Sequence, residues 1–211
     1  MRMPPVRAVR RAELLVVAIL SAALSVAACS GDDGGPADAP PSGDAGASTA
    51  TDNTPPPLET TATLGKVRGQ LPKGKRSKVR QQVAHAVDEW FDAAYIGGDY
   101  PRTDYSDSWP GFTTGAKADA ADDKSLMSNF DSGRVISSVE AITRKVSVDV
   151  LAVRGHAQGA TARFVLKFRT VGGVKDDDVQ RKTEVRGRLF LTPSADGWRI
   201  FGYDVTKGAV A

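Results

Sequence analysis

Cysteine and histidine are nearly absent from this sequence. Among its 211 residues there is one cysteine, Cys29, and there are two histidines, His85 and His156. A single thiol cannot form an internal disulfide, so an exported form of the chain depends on a packed core for its stability. One cysteine and two distant histidines also make no zinc site, and we predict no bound metal.

Motifs of several enzyme classes are missing as well. The sequence has no Gly-Lys-Ser phosphate loop and no Gly-x-Ser-x-Gly nucleophile elbow. The run Asp176-Asp177-Asp178 lacks the alternating ligand spacing of a calcium loop, and we interpret it as a polar turn. We therefore predict no cofactor.

Most of the chain carries nearly equal numbers of acidic and basic residues. The net charge is +3, and residues 1–28 hold four arginines and one glutamate, which account for all of it. The remaining residues are close to neutral. Composition therefore gives no electrostatic indication of nucleic-acid binding.

Residues 1–28 have the organisation of a signal peptide. Arginines precede an uncharged run over residues 14–28, which is too short to span a bilayer comfortably. Glu13 occupies the place where a twin-arginine export motif has an apolar residue. We therefore predict export by the ordinary secretory route.

The end of this segment, Val26-Ala27-Ala28-Cys29, resembles the lipobox of bacterial lipoproteins. The resemblance implies that Cys29 receives a diacylglyceryl thioether and palmitate and becomes the first residue of the mature protein. It implies an extracytoplasmic protein, anchored by this lipid to the outer face of the cytoplasmic membrane. The alternatives are a stray or buried thiol, or an uncleaved membrane anchor.

Residues 29–60, which follow the signal peptide, are predicted to be a disordered tether. Between Ser30 and Thr60 proline, glycine, alanine, serine, threonine and aspartate dominate, and Leu58 is the only large apolar residue. Such a segment buries too little apolar surface to offset its conformational entropy. As a flexible coil it would span roughly 30 Å.

Residues 61–211, predicted to be one domain, begin with a basic segment. Seven lysines and arginines occur before residue 81 without an acid: Lys66, Arg68, Lys73, Lys75, Arg76, Lys78 and Arg80. One interpretation is a solvated edge strand and first helical turn. The other is a contact for anionic wall polymer or phospholipid headgroups through Lys73, Lys75, Arg76 and Lys78. The segment lacks aromatic residues that stack on bases, which argues against nucleic acid as a partner.

Hydrophobic spacing then predicts one long helix that ends at Gly97-Gly98. Its apolar stripe has members three or four residues apart and is widened by neighbours: Val79, Val83, Ala84, Val87, Trp90, Phe91, Ala94 and Tyr95. His85 lies on the opposite, polar face, so we expect it to point at water.

The loop over residues 99–112 is dense in aromatic and acidic residues. We interpret it as the rim of a ligand pocket, with five binding side chains: Tyr95, Tyr100, Tyr105, Trp109 and Phe112. The alternative is a lid whose aromatic residues close the core. Thr113 or Thr114 then offers an N-cap for a short helix over residues 116–122, followed by a turn around Leu126 and Met127.

From Arg134 onward the hydrophobic period changes to two, which is typical of strands. Turn signals occur at residues 154–156, 172–178 and 193–197. We predict four long antiparallel strands which, with residues 62–68, make an antiparallel sheet of four to five strands packed on the helix. The fold class is therefore predicted to be α+β.

This order of elements, with the final strand Gly-Trp-Arg-Ile-Phe-Gly-Tyr-Asp-Val over residues 197–205, resembles the nuclear transport factor 2-like superfamily. The resemblance covers roughly residues 75–206 and implies a cystatin-like cone, in which a curved sheet wraps the first helix and the mouth often holds a ligand. The chain is also similar to exported actinobacterial lipoproteins and mammalian-cell-entry-associated proteins. The resemblance further implies dimerisation through the face of the sheet.

Enzymes of this superfamily, such as dehydratases and ketosteroid isomerases, use an Asp or an Asp-His pair with a Tyr inside the cone. That pattern is not matched here, because His85 faces away from the core and His156 is expected in a hairpin turn. Asp149, Asp104 or Asp107 could supply a carboxylate, and Tyr95, Tyr100 or Tyr105 a donor. No spacing identifies a pair among them.

We therefore expect a non-catalytic envelope lipoprotein that binds a ligand or a partner. Its expected partners are the membrane, through the lipid on Cys29, and a small hydrophobic ligand, an envelope protein or a second copy. One alternative is an isomerase- or dehydratase-like enzyme that acts on a small hydrophobic molecule. Another is a scaffold for secretion or wall-synthesis machinery.

Overall fold

The computed structural model describes residues 58–172 and 179–210. The signal peptide, Cys29, residues 29–57 of the predicted tether and the run Asp176-Asp177-Asp178 lie outside the described residues. The described elements, in chain order, are β1 (Thr61–Arg68), α1 (Lys73–Phe91), a π-helical turn (Asp92–Ile96), α2 (Thr114–Asp122), α3 (Lys124–Met127), β2 (Ile136–Val153), β3 (His156–Gly172), β4 (Gln180–Ser194) and β5 (Gly197–Ala209).

The five strands form one mixed sheet in the order β1-β2-β3-β4-β5. Strands β2 to β5 pair antiparallel, as the period-two pattern predicts, whereas β1 pairs parallel to β2. The α+β class is therefore confirmed, but the prediction of an antiparallel sheet is wrong for β1. The reason is the connection between β1 and β2, which contains α1 and the short helices. A crossover of this kind carries the chain back along the sheet, so that β2 runs in the same direction as β1.

The β2–β3 hairpin turns more tightly than the sequence indicated. Arg154 and Gly155 have φ of 48° and 81°, the left-handed values that a two-residue type I′ turn needs at both positions. His156 is therefore the first residue of β3, and its predicted place in the turn is wrong. Likewise, Pro193 and Ser194 belong to β4 rather than to the next turn.

Helix α1 buries the stripe that its spacing predicts. Val83, Val87, Trp90 and Phe91 are fully buried against the sheet. A π-helical turn continues the helix to Ile96 and ends where Gly97 N–H donates to Asp92 O at 2.8 Å. The prediction that the helix ends at Gly97-Gly98 is confirmed.

The short helices lie close to where capping signals placed them. Helix α2 begins at Thr114, two residues earlier than predicted, and Thr113 is its N-cap. Helix α3 occupies the turn predicted around Leu126 and Met127. Among the described residues, no helix combines the length and the apolar character needed to cross a bilayer.

Aromatic side chains fill the space between α1 and the sheet. The Trp90 ring centroid lies 5.3 Å from that of Phe164 on β3 and 5.5 Å from those of Phe91 and Tyr95. Trp198 on β5 is also buried and belongs to the same cluster. The inner face of the sheet is thus packed side chain against side chain.

An ion cluster around the buried Arg144 fastens strand β2 to the helix. Arg144 on β2 is only 8% exposed, and its guanidinium lies 2.9 Å from Asp88 Oδ1 and 2.7 Å from Asp92 Oδ1. Its Nε also donates to Thr60 Oγ1 at 3.0 Å, immediately before β1. One arginine therefore links β2, α1 and the residue that leads into β1.

Within the described residues, the buried hydrophobic cluster runs from Leu71 to Ile200. The segment Asp52–Ala211 forms one compact unit that contains all of this cluster. We therefore expect Asp52–Ala211 to fold without the residues that precede it.

Replacing Trp90 by alanine should lower the free energy of unfolding of Asp52–Ala211 by about 3–5 kcal/mol, because the change opens a cavity in the aromatic cluster. Gln82→Ala changes an exposed position on the same helix and should cost no more than about 0.5 kcal/mol. Urea unfolding measures both values. Equal and small losses in the two variants would contradict the packing described here.

Candidate functional site

The aromatic residues predicted to form a pocket rim lie mostly in the core. Tyr95, Tyr105, Trp109 and Phe112 are buried, and Tyr100 is half-buried. This placement matches the alternative interpretation, a lid that closes the core. Ligand binding by these side chains stays a prediction.

Arg102 holds this loop in place, a role that the sequence analysis missed. Its guanidinium donates to Ala93 O at 2.6 Å, to Asp104 O at 2.7 Å and to Ser108 Oγ at 3.2 Å. The same group lies 4.3 Å from the centre of the Tyr105 ring. The loop is therefore fastened to the π-helical turn by one cation.

Two of the three tyrosine hydroxyls of this region donate to the backbone, whereas the buried hydroxyl of Tyr105 has no hydrogen-bond partner among the described residues. Tyr95 donates to Leu126 O at 2.6 Å, and Tyr100 donates to Tyr95 O at 2.9 Å. Burial raises the pKa of Tyr95 well above its ordinary value. These bonds give two of the candidate oxyanion donors, Tyr95 and Tyr100, a structural role.

The candidate acid–base residues lie on separate parts of the fold. His85 is 74% exposed on α1, 3.5 Å from Glu89, and His156 is exposed at the start of β3. Asp104 and Asp107 are exposed in the loop. The backbone N–H of Ser106 donates to Asp104, which lowers the pKa of that carboxyl.

Asp149 projects from the outer face of the sheet, away from α1. It accepts a hydrogen bond from Lys66 N at 2.7 Å and pairs with Arg163 at 2.7 Å. Within residues 58–172 and 179–210, no group of three or more histidine, aspartate or glutamate residues is arranged to hold a metal ion. The expected absence of a metal stays a prediction.

A small enclosed cavity of about 160 Å³ lies near one end of the sheet and is lined by Lys207. Lys207 Nζ donates to Ser125 O at 2.9 Å and to Ser128 O at 2.6 Å. Burial lowers its pKa from the ordinary value. The rest of the lining is half polar and half non-polar, and none of the described lining residues is a carboxylate: Asn129, Ser132, Thr170, Arg181 and Thr183, with Phe168, Val135, Ile136, Gly172 and Val179.

The outer face of the sheet carries a larger open concavity, here called the outer-face trough, of about 470 Å³. Ligand pockets commonly have volumes of about 300–1,000 Å³. The trough crosses the strands near the β2–β3 turn and is lined by Lys66, Arg68, Asp149, Val150, Leu151, Gln158, Gly159, Ala160, Thr161, Phe190, Leu191, Thr192 and Phe201.

The two sides of the outer-face trough differ in chemistry. Lys66, Arg68 and Leu151 lie on β1 and β2, at one side. Phe190 and Phe201 lie on β4 and β5, at the other side, with ring centroids 6.3 Å apart. Such a surface suits a ligand or partner with an apolar part and a negative charge.

Some cations elsewhere on the same face form ion pairs with acids. Lys167 pairs with Glu184 at 2.9 Å, and Arg188 pairs with Asp204 across the strands. In the described part of the chain, Lys66 and Arg68 enter no ion pair of this kind. Their charge therefore remains available for a contact.

Comparisons of this chain with protein-family models, with curated proteins and with solved structures find no match.

Replacing Lys207 by methionine should change how stability depends on pH. Because the pKa of Lys207 is lowered by folding, the unfolded chain binds more protons than the folded protein between that value and the ordinary value of about 10.5. The free energy of unfolding of wild-type Asp52–Ala211 should therefore gain a contribution from this lysine as the pH rises toward 10.5, and Lys207→Met should lack that contribution.

Chemical unfolding at intervals between about pH 8 and about pH 10 measures this difference. Lys182→Met, at an exposed lysine of β4, is the matched control and should keep the wild-type pH dependence. Parallel curves for wild type and Lys207→Met would show that Lys207 is not desolvated.

Proposed function

We propose that this chain is a non-catalytic, lipid-anchored lipoprotein of the actinobacterial cell envelope. In this proposal it has the cone of the nuclear transport factor 2-like superfamily and stands on the outer face of the cytoplasmic membrane. It binds a ligand or partner through the outer face of its sheet. The lipobox-like sequence Val26-Ala27-Ala28-Cys29, at the end of a signal-peptide pattern, supports the anchor.

Strand irregularities support the cone. Strand β2 runs over 18 residues, and its pairing with β3 shifts register near Ile136, Ala141 and Leu151. A further shift occurs between Phe190 and Leu191, where β4 pairs with β5. Bulges of this kind bend a strand and increase its twist, which a sheet needs to wrap around a helix.

The single observation that carries the binding function is where the apolar side chains lie. Trp90, Phe91 and Phe164 are buried against one another between α1 and the inner face of the sheet, where the resemblance to the superfamily would place a ligand. Phe201, by contrast, is 55% exposed beside the outer-face trough. A filled interior and an apolar outer surface favour binding on the outside over catalysis on the inside.

The anchor is tested by the mature N-terminus. In a bacterium that processes lipoproteins, the wild-type protein should begin at Cys29, carry diacylglycerol there and incorporate labelled palmitate. Cys29→Ala should lose the label and shift from the membrane fraction, whereas Ser30→Ala should keep both. A mature wild-type protein with a free thiol at Cys29, or Cys29→Ala bound as firmly as wild type, would contradict the anchor.

The binding face is tested by photocrosslinking in the same cells. A benzoylphenylalanine residue in place of Phe201 should form an adduct with the bound ligand or partner. The same residue in place of Gln82, which is exposed on α1, is the matched control and should not. Equal adducts at both positions, or none at 201, would argue against the outer face as the binding surface.

A further inference from the structure

The most exposed large apolar side chains gather at one end of the outer face. Leu151, Val153 and Phe201 are 52%, 50% and 55% exposed. Leu151 and Phe201 both line the outer-face trough, and Val153 lies two residues beyond Leu151, beside the β2–β3 turn. Water-exposed apolar groups that cluster in this way mark contact surfaces rather than ordinary solvent-facing sheet.

Cations lie on the Leu151 and Val153 side of this apolar group. Arg68 on β1 lies opposite Leu151 on β2 in the strand register, and Lys66 lies two residues before Arg68. Arg154 is in the β2–β3 turn, next to Val153. The start of α1 reaches the same turn, because Lys75 Nζ donates to Gly155 O at 3.3 Å.

Negative charge at this end is sparse among the described residues. Asp149, the only acid that lines the trough, is paired with Arg163. Asp196 is exposed in the β4–β5 turn, which lies at the same end of the sheet because β4 runs antiparallel to β3. No ion pair in the described chain involves Lys66, Arg68, Lys75 or Arg154.

This combination of groups matches the surface of an anionic bilayer. Cations near such a surface are attracted by its negative potential, and exposed Leu, Val and Phe side chains enter the boundary between headgroups and acyl chains. An anionic polymer in water would attract the cations but would not bury the exposed apolar side chains. The exposed apolar side chains therefore favour a bilayer over an anionic polymer as the partner of this surface.

We propose that the hairpin end of the sheet, defined by Lys66, Arg68, Leu151, Val153, Arg154 and Phe201, docks on the surface of an anionic phospholipid bilayer. The proposal deepens the proposed function and rests on it for the location of the domain. With neighbouring strands about 4.8 Å apart, Arg68 on β1 and Phe201 on β5 lie roughly 19 Å from each other across the sheet. The docked surface therefore spans several headgroups.

The test uses Asp52–Ala211, which lacks Cys29, after circular dichroism shows that each variant is folded. Sedimentation with vesicles measures binding to phosphatidylcholine alone and to phosphatidylcholine mixed with phosphatidylglycerol. The wild-type segment should bind the mixed vesicles more tightly and release them as salt is added. Failure to bind the anionic vesicles would overturn the docking proposal and leave the lipid anchor on Cys29 untouched.

Paired variants separate the two kinds of contact. Arg68→Ala with Arg154→Ala should weaken binding to anionic vesicles by about 25-fold, at about fivefold for each cation. Lys117→Ala with Lys182→Ala removes the same charge from exposed positions on α2 and β4, and should leave binding within about twofold of wild type. Equal losses in the two pairs would show a general charge effect and overturn the proposal.

The apolar contact needs its own variants. Leu151→Ser and Phe201→Ser should each weaken binding by about tenfold, since each removes a side chain that leaves water on docking. Leu58→Ser, at an exposed leucine before β1, should have little effect. If Leu151→Ser and Phe201→Ser bound anionic vesicles as tightly as the wild type does, the contact would be one that any polyanion can make. That result would also overturn the proposal.

Discussion

The packing of Trp90 and Phe91 into the inner face of the sheet is the contact on which the rest of this structure depends. The indole of Trp90 contacts the helix, the loop and strand β3 at once, through Phe91, Tyr95, Phe112 and Phe164. Because these rings fill the space between α1 and the sheet, little volume remains there for a ligand. This filled space is the reason that we look for a binding surface on the outer face of the sheet.

Three buried or half-buried cations hold the elements around this core. Arg144 joins β2 to α1 through Asp88 and to the π-helical turn through Asp92, and Arg102 fastens the aromatic loop to backbone carbonyls. Lys207 joins β5 to the carbonyls of α3 and of the residue that follows it. A charge withdrawn from water is tolerated only with partners of this kind, so these three cations have a structural role.

Much of the fold was predictable because an element with one buried face repeats apolar residues at the spacing of a helix or a strand. The stripe on α1 and the alternation of β2 to β5 follow from facing a single core, so the sequence predicts these elements well. The direction of β1 was not predictable from its own residues, because it depends on how the chain returns across the sheet. Arg102 was missed because its partners are mostly backbone carbonyls, which no sequence pattern reveals.

The candidate site was harder to predict for a related reason. An aromatic loop has the same composition whether it lines a pocket or closes a core, and here Trp109 and Phe112 lie in the core. The outer-face trough had a weak sequence signal: Phe190 and Phe201 are apolar at positions where strict alternation calls for a polar residue. That signal becomes informative only when strand pairing brings the two rings together.

We propose that the interior of this domain is filled and that binding occurs on the outer face of the sheet. A crystal structure of Asp52–Ala211, purified gently and soaked with a short-chain anionic phospholipid, tests it most directly. We expect density for the lipid against Leu151, Arg68 and Phe201, and continuous side-chain packing around Trp90. Ligand density between α1 and the sheet, beside Tyr100 or Trp109, would contradict it.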